Sequence, residues 1–282
     1  MINSFLWVDV TFWLYLTSCT FYVLHGFFYK NETLGILGTV TAILGAAINT
    51  LALGYRAYEA GHAPFSNLYE SMLLFTWATV IGYLMMEFKY KLRIIGTFVM
   101  SIVFFSILTI VWLLPYRYQN IDPLNPALQS LWLEIHVMTT FIGYAAFAIS
   151  FGISIMYLIK NSVEKGGNRE GNLKGFFARF PDLNILDELN YKSIAWGFPF
   201  LTIGIITGAV WANYAWGTYW SWDPKETWSA IVWLIYAGYL HARVTHGWRG
   251  VKTAIFAIIG FLSIIFLYWG VSFILPGLHA YA

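Results

Sequence analysis

The stretch IIGTFVMSIVFFSILTIVWLL, Ile94–Leu114, runs for 21 residues without a charged side chain. At a rise of ~1.5 Å per residue, a helix of that length reaches about 31 Å, the thickness of a bilayer's hydrocarbon core. In lipid no water is present to bond backbone amides and carbonyls. A crossing segment must therefore satisfy them internally, which makes it a helix rather than a strand. Similar runs recur on both sides of it. They predict eight spans, at about Phe5–Phe28, Leu34–Leu53, Leu68–Met86, Ile94–Leu114, Trp132–Ile159, Ile194–Asn213, Trp228–Thr245 and Thr253–Leu275. Composition agrees: 59% of residues are hydrophobic and only 11% charged, with mean hydropathy +0.63, against a charged share of ~25% in soluble domains. The expected fold is all-α, a polytopic membrane helix bundle forming a single domain over residues 1–282.

Basic residues orient the bundle. Of the 16 Lys and Arg, 13 fall in the loops after spans one, three, five and seven; the other loops hold only Arg56, Arg117 and Lys225. Cytoplasmic loops collect Lys and Arg, so both termini and the loop after span six are expected on the outer (periplasmic or lumenal) face. The net charge of +2 reflects this bias and gives no sign of nucleic acid as a partner. The first span lacks the basic start and small-residue cleavage site of a removable signal and is expected to stay as an anchor in membrane lipid. Cys19 is the single cysteine. The chain therefore has no CxxC redox pair and no CxxCH haem-attachment site, and thiol chemistry must come from elsewhere.

Within this frame three connections stand out. The second span is rich in small residues, which let helices approach closely. The outer loop GYRAYEAGHAPFSNLYES mixes Arg56, Glu59, His62 and Asn67 with aromatics. LPYRYQNIDPLNPALQS, with three prolines, reads as a compact outer loop or short interfacial helix. The inner connection, 160–192, begins polar and glycine-rich. It continues as FFARFPDLNILDELNYK, where Asp182 suits an N-cap and Leu183, Leu186 and Leu189 share a face. That spacing predicts an amphipathic helix on the inner membrane surface, or one that docks a partner.

The chemistry-bearing residues gather on the outer side. His136 lies at the mouth of span five and His279 follows span eight. Between them the outer segment 214–226 contains WGTYWSWDPKETW, Trp216–Trp228, with four tryptophans in 13 residues. A lone His at a helix end is ordinarily a polar cap, and interfacial Trp ordinarily forms an anchoring belt. A belt, however, spreads over many span ends, whereas these indoles concentrate in one connection. Two imidazoles converging with aromatic planes are what a flat, iron-bearing macrocycle needs. His241 lies roughly 22 Å along span seven, a depth at which ionisable residues are functional candidates; a bond between helices or snorkelling beside Arg243 is the plainer reading. His25 is comparable but close to Lys30, and His246 is expected to be solvated. Asp223 suits an N-cap, with Pro224 in the first turn. Lys225 or Arg56 is placed either to pair with a carboxylate such as a haem propionate or to be solvated.

WGTYWSWD resembles the WWD motif (WGxxWxWD) of the haem-handling superfamily that includes CcmC, CcmF and CcsA, matching at Trp216, Gly217, Trp220, Trp222 and Asp223. PKETW and GHAPFSNLYES resemble the CcsA/ResC branch in particular, and the likeness runs over most of the chain. The resemblance implies a System II role in cytochrome c-type biogenesis: haem b is handled and delivered for covalent attachment to the CxxCH segment of apocytochrome c. The implied partners are a Ccs1/ResB-type membrane protein, with which this chain would form a cytochrome c haem lyase, and a thioredoxin-like thiol reductant. It further implies that His136 and His279 are axial haem-iron ligands, and that His241 ligates iron at a second, intramembrane site whose other ligand comes from the partner. The expected location is a bacterial plasma membrane or a thylakoid membrane. Two other functions use similar parts: a bis-His membrane cytochrome in quinone-linked electron transfer, and a haem exporter without synthase activity. A channel or substrate transporter fits less well, since no matching pair of broken helices is evident.

Overall fold

The structure is a computed structural model that describes residues 4–28, 31–115, 119–121, 123–124, 126–165, 177 and 179–275. Among these residues are eight long helices and no strand. They are α1 (Ser4–Phe27), α2 (Glu32–Ala60), α3 (Leu68–Tyr90), α4 (Gly96–Leu108), α5 (Leu131–Lys165), α6 (Leu183–Trp216), α7 (Pro224–Thr245) and α8 (Val251–Ile265). A 3-10 turn leads into α4, which ends in a π turn, Thr109–Leu113. A second π turn, Phe266–Gly270, carries α8 on to Ile274. By length and composition six of the helical stretches can cross a membrane: α2, α3, Arg93–Leu113, α5, α6 and Val251–Ile274. The other two, α1 and α7, are rich in Trp, Tyr and hydroxyl side chains and fall short of that criterion, though each supplies one helix of the bundle at the place predicted.

Small residues set the closest approaches, as the sequence of span two suggested. A methyl added to Gly45 of α2 would lie 2.6 Å from the Tyr15 ring of α1, and one at Gly197 of α6 would lie 2.9 Å from Phe147 of α5. In lipid, helices associate largely through such van der Waals contact. Farther in, Phe147 stacks on Tyr236 of α7 with centroids 3.7 Å apart and planes 8° from parallel.

Two expectations require correction. The helix beginning after Asp182 is not a separate element on the membrane surface. It runs on through the sixth span as one helix of 34 residues, with Pro199 inside it. Leu186 and Leu189 are buried, and between them Asp187 bonds the Arg243 guanidinium at 2.5 Å, the Gly250 amide at 2.8 Å and the Thr253 hydroxyl at 3.1 Å. The amphipathic face thus docks on its own chain. Asp182 occupies the N-cap position but makes no side-chain cap bond.

The second correction concerns Arg56, which is buried rather than solvated. α2 extends past it, and the fully buried guanidinium pairs with the equally buried Glu70 of α3 at 2.7 Å. A second nitrogen bonds the carbonyls of Gln119 and Asn120, at 2.7 and 3.2 Å. Glu70 in turn accepts from the amide and hydroxyl of Ser66. One ion pair therefore ties the α2–α3 and α4–α5 connections together at one end of the bundle.

Candidate functional site

That same end encloses a cavity of about 450 Å³, within the ~300–1,000 Å³ range of small-molecule pockets. Its walls come from nearly every element reaching this end: the starts of α3, α5 and α7, the end of α6, the 3-10 turn Pro126–Leu128 and the π turn of α8.

His136 stands on the second turn of α5 and forms part of the wall. Its Nδ1 lies 2.6 Å from the Gly204 carbonyl of α6. A carbonyl only accepts, so Nδ1 carries a hydrogen, which in the neutral ring makes Nε2 the nitrogen with the lone pair. Beside it lies Trp211, nearly parallel at 16° with centroids 6.4 Å apart. Trp211 is buried and donates its indole N–H to the Ala127 carbonyl at 2.9 Å.

The tryptophan-rich segment divides in two. Trp216, the last residue of α6, meets Trp211 edge-on at 4.8 Å, and both line the cavity, as do Trp220 and Tyr219. Gly217 ends the helix with φ +77°, where its amide bonds the Asn213 carbonyl at 2.9 Å. Only a residue without Cβ adopts that conformation cheaply. Trp222 behaves differently. It is 75% exposed, holds a left-handed backbone at φ +61°, and lies outside the cavity wall. Its ring meets Trp220 edge-on at 5.9 Å. Asp223 caps α7 as its sequence position suggested, bonding the Lys225 amide at 3.0 Å. Glu226 reaches back to the Asp223 and Ser221 amides in a capping box.

Lys225, ahead of the membrane-crossing part of α7, also lines the cavity. Burial pushes its ammonium down to about 8, partly opposed by the Asp223 carboxylate. Across the cavity, Ser71 and Tyr268 share a hydrogen bond of 2.6 Å, and the tyrosine hydroxyl also donates to the Leu68 carbonyl at 3.1 Å.

The remaining histidines are elsewhere. His279 lies outside the described residues, which end at Leu275. His241 sits one turn from the far end of α7, exposed on the bundle surface. Its Nδ1 is 3.1 Å from the Thr245 hydroxyl, and its ring is 5.3 Å from that of His246. His25 is buried at the same far end, 3.4 Å from the Asn31 carbonyl. His62 lies in the α2–α3 connection with Nδ1 2.9 Å from the Ala63 carbonyl. Sequence reasoning placed Trp211 beside the tryptophan cluster but missed Gly204, Gly208 and Tyr268. The spacing GIITG was visible, but glycines four apart in a span read simply as packing.

The sequence profile described as "Cytochrome C assembly protein" matches residues 65–279, which include both the cavity and the tryptophan-rich segment. Curated relatives named "Cytochrome c biogenesis protein CcsA" match along nearly the whole chain. The Guillardia theta protein is 42% identical over 97% of this chain and 94% of its own length. The chain belongs to the CcsA family. Other CcsA relatives are those of Chlamydomonas reinhardtii, 41% identical over 89% of this chain and 73% of its own, and Prochlorococcus marinus (strain AS9601), 38% identical over 91% and 87%. Among solved structures, the chain described as "Cytochrome c Heme Lyase CcmF" superposes with a TM-score of 0.69 at 14% identity. It covers 95% of this chain, which spans 47% of that longer protein. That likeness concerns the fold. Family membership places this membrane protein in cytochrome c biogenesis.

Proposed function

We propose that the protein holds haem b and presents it for covalent attachment to apocytochrome c, as the haem-handling subunit of a System II cytochrome c haem lyase. The observation that carries this reading is His136, held at Nδ1 by the Gly204 carbonyl in the wall of a cavity also lined by Trp211, Trp216 and Trp220. Imidazole for iron and indole faces for a porphyrin match the substrate's chemistry. In this reading the cavity faces the outer side of the membrane. His136 and His279 take the two axial positions, Trp216 and Trp220 flank the ring, and Gly217 and Asp223 shape the segment. Lys225 meets a propionate. Trp222, being outside the cavity, faces the approaching protein or the headgroups instead.

Reduced cysteine thiols of the apocytochrome CxxCH segment then add across the vinyl groups. Each sulfur bonds the vinyl α-carbon and the hydrogen passes to the β-carbon, with no net oxidation. A thioredoxin-like reductant keeps those thiols available, and the apocytochrome's own His displaces one axial ligand. This chain positions the substrate and contributes no nucleophile, since Cys19 is buried in α1. His241 serves a second haem site at the inner side, completed by a ResB-type partner packed against its exposed face. A thylakoid membrane fits the algal and cyanobacterial spread of the relatives.

Co-expression with the partner and an apocytochrome tests the reading. Covalent haem on the cytochrome is the expected product, lost when His136 and His279 are both replaced by Ala. Unchanged bound haem and unchanged maturation in that double variant would sink it. Haem bound by the wild type without any covalent product would favour the exporter or electron carrier.

A further inference from the structure

Gly208 lies on α6 one turn after Gly204 and directly against His136. A methyl group at Gly208 would sit 2.6 Å from His136 Nδ1 and 2.8 Å from its Cε1. Both separations are far inside van der Waals contact, so the imidazole occupies the volume that any side chain at this position would need. The neighbouring Gly204 carbonyl takes the Nδ1 hydrogen at 2.6 Å, and Trp211, three residues beyond Gly208, lies along the ring at 16°. One face of α6 thereby fixes three properties of a residue on α5: where the ring sits, which nitrogen is protonated, and the plane it adopts.

We propose that Gly208 is a positioning residue for the haem-binding histidine. The notch at Gly208 brings His136 close enough to bond the Gly204 carbonyl, and that bond sets Nε2 as the iron donor. This rests on the reading of His136 as an axial ligand. A ring N–H bonded to a carbonyl makes the other nitrogen a stronger donor, and outer partners of this kind are typically worth about 10- to 100-fold in affinity or activity. A stronger donor favours ferric over ferrous iron, so weakening the bond raises the reduction potential.

The test uses the haem-loaded complex copurified with its membrane partner, carrying Gly208→Ala or Gly208→Val. Gly197→Ala is the packing control, because it crowds Phe147 at the same α5–α6 interface two to three turns from His136. Gly208→Ala is expected to lower haem retention by about 10- to 100-fold, to raise the reduction potential, and to recover partly when imidazole is added. Gly197→Ala should keep the wild-type spectrum and potential. If Gly208→Ala keeps both while His136→Ala changes them, the positioning role fails and the ligand assignment stands. If His136→Ala itself leaves both unchanged, the ligand assignment fails and the positioning role with it. Should neither Gly208 variant accumulate, ¹⁵N-histidine labelling of the wild-type complex decides. A protonated Nδ1 and iron-bound Nε2 are expected on His136, and the reverse tautomer overturns the proposal.

Discussion

His136 and His241 occupy equivalent positions at opposite ends of the bundle. One lies five residues into α5, the other four residues before the end of α7. Their surroundings differ in every respect that matters for ligation. His136 donates its Nδ1 hydrogen bond to a carbonyl of another helix, with an indole alongside and a cavity before it. Among the described residues His241 is exposed and its hydrogen bonds stay within its own helix, with another imidazole 5.3 Å away. An imidazole held from outside its own helix has its rotamer and tautomer settled before a ligand arrives, so less ordering entropy is lost on binding. The chain prepares one histidine and leaves the other to be completed, a task the proposal gives to the ResB-type partner.

The buried ion pairs at the two ends extend the comparison. Arg56–Glu70 braces the connections around the cavity, and Arg243–Asp187 braces α6 against the α7–α8 turn. Removing one partner of a buried pair strands the other charge, at about 3–5 kcal/mol. Glu70→Gln is therefore expected to lower thermal stability in detergent sharply and to release haem at the cavity end. Asp187→Asn should cost similar stability while leaving haem at His136 in place. Equal haem loss in both would show that the ends are not independent.

The next largest effect separates the histidines themselves. In protein purified without its partner, His136→Ala should weaken haem retention by at least about 10-fold, and His241→Ala should leave it unchanged; absorption spectra during gel filtration follow both. A smaller effect belongs to Lys225. Its folded-state value, lowered to about 8, means that the cation is present below that pH and is lost as pH rises through it. Burying this cation costs stability at low pH, and that cost fades between about 8 and the unfolded value near 10.5. A propionate offsets the cost only while the charge exists. Haem retention should thus fall as pH rises past about 8 and become flatter with pH in Lys225→Gln. The smallest change is expected from Trp222→Gly, which relieves a left-handed backbone worth roughly 1 kcal/mol and leaves haem retention intact. A tenfold loss there would return Trp222 to the porphyrin surface that the motif alone suggested.

The eight helices were legible because apolar runs such as Ile94–Leu114 need no tertiary information to be read. Helix lengths were not. The sequence around Pro181 and Asp182 signals a helix start correctly, but nothing local reveals that the helix continues into the sixth span, since Asp187 is satisfied by residues some 60 positions away. Arg56 misled for the same reason: a charge in a presumed loop looks solvated until Glu70 is seen beside it. In the site, Trp216, Gly217, Trp220 and Asp223 could be placed from one motif. Gly208 could not, because a glycine that makes room for a functional ring has the same local signature as one that lets two helices touch.

Replacing His136 by Met in the haem-loaded complex tests the central claim most directly. If Nε2 of this residue ligates the iron at the cavity end, the bis-His spectrum should give way to His/Met ligation with a higher reduction potential. An unaltered bis-His spectrum and potential would mean that the iron is held elsewhere.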